Sequence, residues 1–442
     1  MNANQSVTRD VYNAEGSKVG LRFTVYHRLS TLIIVPNLVI IAHQILAQDL
    51  FEQPRTCLTG VAANVAAAVL IRQDHIINML FWTIGELPHW TPLWLRKHAA
   101  RLYHLGGLHS GAGMAAAIWY LFFNIAAVKS RPKAMPLHSG MIATAALCAL
   151  MNILFLQILI TSVPRFRSPF HNFWEQMHRF SGWILLACFW AFLSMYKIFE
   201  SRTSDEASLA ELFYFDPAFY LLSITTVSIA LPWLHLRKVH PRAERLSKHA
   251  VRLYFDYANV SACKTPRFST NPLLEWHSFA SIPNEFTKGY SVIVSRAGDW
   301  TSTIIDEPPM TLWTRGRPAR GVLYMAKMFR SILCVGTGSG IAPILGLLML
   351  PNLKFRILWS VANPERTFGA DILRRVHGAD PEAVVWDTKG DGRPDLVEEA
   401  KKIYDEGQTE AVFVISNAKV TADIVFGLES QGVPAFGPIF DS

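Results

Sequence analysis

MFRSILCVGTGSGIAPILGLLML, residues 328–350, carries three signals in one run. SILCV is a short apolar stretch of buried-strand type, GTGSG is a tight turn, and IAPILGLLML reads as a helix. Glycine suits such a turn because backbone can approach a pyrophosphate closely there. The helix N-terminus then supplies free N–H groups and the positive end of its dipole. Pro343 fits the first helical turn, where its missing N–H costs nothing. The glycines fall at Gly336, Gly338 and Gly340, a spacing that differs from G-x-G-x-x-G. No G-x-x-x-x-G-K-[ST] occurs, so P-loop ATP hydrolysis is not expected. Further strands are expected at 355–361, 383–387 and 411–416 with helical patterns between them, which makes an open α/β sheet of dinucleotide-binding type.

Upstream, VRLYFDYANV (251–260) and YSVIVSRAGDWT (290–301) are rich in β-branched and aromatic residues with partial alternation. They read as strands of a small barrel or sandwich. Between them lies LEWHSFASIP (274–283), which a buried strand end explains as well as a binding motif does.

Before Arg237 the character of the chain changes. The 442 residues give a length prior of about three domains, and the average of 51% hydrophobic and 17% charged residues hides a split. Six segments reach the roughly 20 apolar residues that a membrane-spanning helix needs: 24–47, 57–80, 99–128, 138–163, 179–199 and 217–236. Arg72, Asp74 and His75 interrupt the second, which either spans or ends near Ile71 and continues as an interfacial helix. Basic residues flank alternate ends: Lys18, Arg22 and Arg28; Arg96, Lys97 and Arg101; Arg165 and Arg167; Arg237, Lys238, Arg242 and Arg245. The stretch after the fifth segment is acidic (Glu200, Asp205, Glu206, Glu211). The positive-inside rule then places both termini in the cytosol, with Lys129, Arg131 and Lys133 dissenting.

This placement of charge accounts for the net +8 without nucleic acid, which is not expected as a partner. Cys57, Cys148, Cys188, Cys263 and Cys334 form no C-x-x-C pair, so neither a disulfide framework nor a structural zinc site is expected. No cleavable signal peptide is evident, and the first apolar segment reads as an anchor that stays. His98, His104 and His109 gather at the start of the third segment, and His171 and His178 near the start of the fifth. Neutral imidazoles on facing helices are what a low-spin haem needs as axial ligands. Wet or backbone-bonded interfacial histidines account for the same pattern.

With these residues in hand, the chain resembles the ferredoxin-reductase superfamily, in particular its membrane-bound ferric reductase and NADPH oxidase branch. The resemblance runs from about Leu21 to the end and rests on WHSFASIP, AGDWT and GTGSGIAP in that order. GGLHSG (106–111), HRFSGW (178–183), WDTKGDGRPDL (386–396), VISN (414–417) and the ending GVPAFGPIFDS bring it nearest to the fungal integral-membrane flavoproteins of the TmpA type. The fold it implies is a six-helix all-α transmembrane bundle, then a flavin-binding antiparallel β-barrel, then an α/β nucleotide-binding domain. The boundaries expected are 1–22 for a cytosolic N-terminal segment, 23–236 for the helices, 237–248 for a basic linker, 249–325 for the FAD-binding barrel and 326–442 for the NAD(P)-binding domain.

The resemblance also implies roles. His277, Ser278 and Phe279 match the family's H-P-F-[TS] flavin motif, with proline replaced by Ser278 and the hydroxyl that serves flavin N5 replaced by Ala280. A backbone N–H or Ser281 is the expected substitute. Gly298, Trp300 and Thr301 match the turn that meets the FAD pyrophosphate, and Gly336, Thr337, Gly338, Ser339, Gly340 and Ile341 the loop beside the nicotinamide. Arg393 matches a position near the nucleotide. Where relatives place a Cys-Gly pair beside the hydride-transfer locus, this chain has Ile415, Ser416 and Asn417. Relatives that carry electrons across the membrane hold two haems, on histidines 13–14 residues apart. Counting from His109 gives Phe122 and Phe123, and from His178 gives Ala191 and Phe192. At most one haem b is expected, held by His109 or His104 together with His178.

The expectation is a multi-pass membrane flavin oxidoreductase that passes electrons from NAD(P)H through FAD to a small molecule, an inner haem or a partner protein. Two alternatives stay open: a ferric reductase or NADPH oxidase-type enzyme working across the lipid bilayer, and a degenerate flavoprotein serving as sensor or assembly platform.

Overall fold

Long apolar runs fold as helices in the first half of the chain, and shorter β-branched runs fold as sheets in the second. The computed structural model describes residues 24–47, 54–129, 139–167, 169–203 and 208–439. The N-terminal segment 1–22 with Lys18 and Arg22, and also Arg131, Lys133, Asp205 and Glu206, lie outside the described residues. The described helices of seven residues or more that precede the first strand are α1 (Val25–Leu46), α2 (Pro54–Leu70), α3 (Asp74–Gly85), α4 (Leu93–Ala99), α5 (Gly106–Lys129), α6 (Ser139–Ser162), α7 (His171–Thr203) and α8 (Pro217–Ala230). The chain divides into two compact units: Met1–Gln73 with His104–Leu231, and Asp74–Tyr103 with Pro232–Ser442.

Among the described residues, five helices are long and apolar enough to cross a membrane: Val25–Leu46, Gly106–Lys129, Ile142–Ser162, His171–Arg202 and Pro217–His235. Six are reached only by joining Pro54–Leu70 to Asp74–Gly85 as one broken span. The expected segment 57–80 is thus two helices, and the chain breaks where Arg72 and Asp74 put charge into the apolar run. The expected third segment starts later than 99, because Ala100–His104 is a 3-10 turn. Small residues let these helices approach. A Cβ on Gly107 would lie 2.3 Å from the Tyr26 carbonyl oxygen, and one on Gly111 2.8 Å from that of Ser30, so two glycines four apart seat α5 on α1. Gly60 of α2 lies under Trp119, whose indole N–H donates to Asn37 Oδ1 at 2.7 Å; Asn64 donates to the same oxygen. GGLHSG therefore has a packing face as well as a histidine.

The second unit opens with a difference from expectation. Residues 237–248 are not a linker: they hold β1 (Arg237–Val239) and β2 (Arg242–Arg245), each in a different sheet. Their basic side chains lie on aromatic rings, Arg237 on Tyr257 at 4.3 Å and Arg242 on Tyr254 at 4.3 Å, so charge and strand formation coexist. The other strands before the nucleotide sheet are β3 (Ala250–Phe255), β4 (Lys264–Thr265), β5 (Arg267–Ser269), β6 (His277–Ser278), β7 (Ile282–Pro283), β8 (Tyr290–Ser295), β9 (Leu312–Thr314) and β10 (Ala319–Arg320). They form antiparallel sheets of order β1-β9-β5-β6 and β2-β3-β8-β7, plus the pair β10-β4. Val251, Leu253, Phe255, Phe268, Val292 and Val294 fill the core they share, and α9 (Asp299–Asp306) buries Ile304 and Ile305 in it.

The last five strands, β11 (Ser331–Thr337), β12 (Lys354–Val361), β13 (Val384–Asp387), β14 (Ala411–Ile415) and β15 (Ala435–Phe436), make one parallel sheet of order β13-β12-β11-β14-β15. The helices of seven residues or more between them are α10 (Ile341–Leu347), α11 (Ala370–Ala379), α12 (Leu396–Glu406) and α13 (Ala418–Ser430). Strands such as Leu333–Val335 and Val412–Val414 are apolar throughout because helices cover both faces of the sheet.

The segment Asp74–Tyr103, expected among the membrane helices, is built into this unit. Asp74 is buried and pairs with Arg267 at 2.8 Å, and its other oxygen accepts from Arg317 N. Asn78 donates to the Pro318 carbonyl and accepts from Arg320 N. Lys327 and Tyr324 both donate to Glu86. Arg96, 3% exposed, donates to the Met328 carbonyl at 2.7 Å and to both carboxylate oxygens of Glu410. These partners lie more than 190 residues away in the chain, so no local pattern announces them.

Candidate nucleotide and flavin site

The order of the parallel sheet fixes where a dinucleotide can lie. The chain runs outward from β11 through β12 to β13, then returns to place β14 and β15 on the other side of β11. The order reverses between β11 and β14, and open α/β sheets bind ligands at the carboxyl ends of the strands flanking such a switch point. GTGSG leaves the carboxyl end of β11 and SN that of β14. A Cβ on Gly340 would lie 2.0 Å from the Ile415 carbonyl oxygen, so only glycine lets the loop close against β14. Gly338 has φ +51, and no described atom lies within 4 Å of where its Cβ would sit, which leaves that face open for a ligand. Trp359, fully buried, donates its indole N–H to the Gly338 carbonyl at 2.8 Å. Thr337 and Ser416 share a hydroxyl hydrogen bond across the switch point. Ser416, one of the three residues that stand where the resemblance implies a Cys-Gly pair, thus holds the loop.

The two flavin motifs meet in the antiparallel part. The His277 ring stacks on Trp300 at 4.1 Å, and Phe279 on the same indole at 5.8 Å. Trp300 donates to Thr270 Oγ1, and Glu275 lies 3.3 Å from His277 Nε2. Thr301 Oγ1 accepts from Ala297 N and Gly298 N, each at 2.9 Å, which folds AGDWT into the turn that starts α9. No described atom lies within 4 Å of where a Cβ on Gly298 would sit, a clear approach for a pyrophosphate. Ser278 is exposed on β6, its backbone paired with Arg267.

Ser281, named above as one expected substitute for the hydroxyl of the flavin motif, has its own hydroxyl engaged by backbone. It is 1% exposed, and its hydroxyl spans the carbonyls of Ser261 and Lys264, both at 2.9 Å. The hydroxyl is spent on closing the β-sheets, and the same residue's carbonyl lies over Gly346 of α10, where a Cβ would come within 2.4 Å.

Ser295 Oγ donates to Ser339 Oγ at 2.8 Å, joining the end of β8 to the glycine loop. Sequence reasoning passed over Ser295 and Trp359; the one available signal was that Ser295 directly precedes RAGDWT. Arg393 is exposed in the turn after β13, at the edge of the sheet, and no contact among the described residues brings it to Gly336–Ile341. That turn is shaped by Asp387, whose carboxylate accepts from Asn363 N and Lys389 N. These N–H groups hold its pKa below the usual carboxylate range.

In the helical unit, the rings of His109 and His178 face each other at 5.9 Å, and His109 Nδ1 lies 2.9 Å from the Ala68 carbonyl. His178 Nδ1 is buried without a hydrogen-bond partner among the described residues. His104 ends the 3-10 turn before α5, and the ring contact with His178 belongs to His109. At the positions of an outer histidine pair, Phe123 meets Phe192 edge to face at 5.2 Å. Tyr120, Phe155 and Phe189 extend that aromatic core, so the donor set suits one haem and not two.

Residues 322–442 match the family described as the C-terminal domain of adenylate-forming reductase 03009. The chain is 39% identical over 426 residues to adenylate-forming reductase 03009 of Coprinopsis cinerea, and 39% identical over 427 residues to adenylate-forming reductase 06235 of the same organism. Each alignment covers 95% of this chain but 40% of the relative, so the chain spans about two fifths of the curated relatives it matches. Among solved structures, a ferredoxin NADP+ reductase from Neisseria gonorrhoeae aligns with 46% of this chain and 98% of its own, at 14% identity and TM-score 0.38. A flavohemoglobin from Malassezia yamatoensis aligns with 93% of this chain and 98% of its own, at 13% identity and TM-score 0.41.

Proposed function

We propose that the chain is a membrane-anchored flavin oxidoreductase that takes reducing equivalents from NAD(P)H. The observation that carries this reading is the glycine loop at the switch point, closed on β14 through Gly340 and tied to β8 through the Ser295–Ser339 hydrogen bond. Gly336, Thr337, Gly338, Ser339, Gly340 and Ile341 would cradle the nicotinamide nucleotide. His277, Phe279, Gly298, Trp300 and Thr301 would hold FAD, Ser278 would border it, and Arg393 would reach the nucleotide from the sheet edge. FAD, when bound, accepts a hydride and releases electrons singly or in pairs; the protein's part is to position and to exclude water. Thr337 and Ser416 would set the height of the nicotinamide over the loop, and the Ser295–Ser339 link would keep the two ligand surfaces in register.

The test is optical. Purified full chain in mild detergent should show oxidised-flavin absorbance that bleaches anaerobically on adding NADPH or NADH; protein without flavin rejects the reading.

One inner haem would be held by His109 and His178, with electrons reaching it from the cytosolic side. The aromatic contact of Phe123 with Phe192 speaks against a relay to the far leaflet. His178→Ala should remove a Soret band from the purified protein while leaving NAD(P)H-dependent flavin bleaching intact. A Soret band unchanged in His178→Ala and in His109→Ala refutes these ligands.

A second reading of the acceptor is favoured by the identity to adenylate-forming reductases, which runs through both units. Electrons would then reduce a carboxyl group activated as an acyl adenylate: a hydride equivalent ends on the carbonyl carbon and AMP leaves. Anaerobic, pre-reduced protein mixed with a synthetic acyl adenylate should reoxidise its flavin; no reoxidation rejects this acceptor.

A further inference from the structure

The segment Asp74–Tyr103 has two unlike faces. Asp74, Asn78, Phe81 and Gly85 recur at helical spacing and turn toward the reductase unit. Off that face stand Met79 (53% exposed) and Trp82 (55%), and the chain beyond adds Trp90 (80%) and Trp94 (63%). Three indoles left open within thirteen residues form the kind of surface patch that marks an interaction site. Covalent continuity says what covers it. The apolar helix α2 ends at Leu70, just before this segment, and the membrane-length helix α5 begins at Gly106, just after it. A segment tethered by covalent bonds to an apolar helix before it and a membrane-length helix after it stays near the level where α5 leaves the hydrocarbon. Tryptophan favours that level, since its ring is apolar and its N–H wants water.

We infer that Met79, Trp82, Trp90 and Trp94 form an interfacial membrane-contact surface of the reductase unit, seated in the headgroup region of the bilayer. This rests on the reading that the apolar helices cross a membrane. The surface immerses its indoles about 5–10 Å into the headgroup and acyl boundary, while Asp74 and Arg96 hold the segment to the rest of its unit. Its effect is to hold this unit at the membrane surface through an element of its own.

The test uses the full chain in liposomes of phosphatidylcholine and phosphatidylserine, after showing that the unsubstituted chain takes up no thiol label. An environment-sensitive fluorophore is placed at Trp82→Cys and at Trp94→Cys. Leu121→Cys, exposed on α5, and Lys389→Cys, exposed after β13, serve as references. The expected result is loss of fluorescence at the two tryptophan sites with lipids spin-labelled near the headgroup, and less loss with lipids labelled near the chain end. Leu121→Cys should respond to the deep label and Lys389→Cys only to aqueous iodide. Tryptophan-site labels open to iodide and blind to lipid overturn the inference. So do labels shielded from both, which would mean that protein covers the face. If Leu121→Cys is blind to lipid, the membrane reading itself fails, a result distinct from either.

Discussion

Gly340→Ala should abolish most NAD(P)H-dependent reduction of the flavin while leaving flavin content near normal. The backbone at Gly340 has φ −57, which any residue adopts, so the effect is purely steric. The new methyl would lie 2.0 Å from the Ile415 carbonyl oxygen, an atom fixed in β14, and the loop must move away from the switch point. Displacement of that order at a positioning element costs about 100-fold in rate. Stopped-flow flavin bleaching reads it directly. Gly338→Ala is the contrast. Its φ of +51 strains alanine by about 1–2 kcal/mol, but no described atom lies within 4 Å of the new methyl. It should weaken nucleotide binding and stability modestly. Equal, small effects of the two substitutions would remove the case for loop closure on β14.

The second large effect concerns the clamp. Arg96→Met should destabilise the second unit by about 3–5 kcal/mol, because it leaves Glu410 without its guanidinium and two buried carbonyls without their donor. For a unit of this size that lowers the melting temperature by roughly 10 °C. Flavin fluorescence during thermal unfolding of the full chain measures it. Arg96→Met with Glu410→Leu should recover part of the loss, since no unpaired carboxylate then remains. A melting temperature unchanged in Arg96→Met would show that the segment Asp74–Tyr103 adds nothing to the unit.

The same pair gives a pH signature. Burial of Glu410 opposes its ionisation, but hydrogen bonds from Arg96 and Arg330 N and the charge of both arginines outweigh it and hold the carboxyl below its usual range. A depressed pKa contributes stability above the unfolded value, about 4.3 for glutamate, and that contribution is lost as pH falls through the folded value. The gap in melting temperature between the natural chain and Glu410→Gln should therefore be constant near neutrality and close in acid. A gap that widens on acidification contradicts the assignment.

Some of this molecule is local and could be read from the chain. Strand, glycine turn and helix follow one another in residues 331–347, so the glycine loop announces itself through neighbours in sequence. The apolar helices are equally local, since length and composition define them. His109 and His178 stood out because imidazole inside an apolar run is costly. Their pairing came from the packing of α5 and α7, and so did the Phe123–Phe192 contact that fills the outer positions. Residues 237–248 misled because a run of arginines resembles a solvated tether until Tyr257 and Tyr254 are placed beneath it.

The sequence by itself determined which stretches are apolar helices, where the longer strands run, and where a glycine turn follows one of them, because each depends on periodicity or on one residue's own geometry. Tertiary structure alone decided that Asp74–Tyr103 belongs with the second unit, that Ser281 is spent on backbone carbonyls while Ser295 and Ser416 brace the glycine loop, and that β11 and β14 flank the switch point. Those facts rest on partners tens to hundreds of residues apart, and burial, not proximity in the chain, chooses between them.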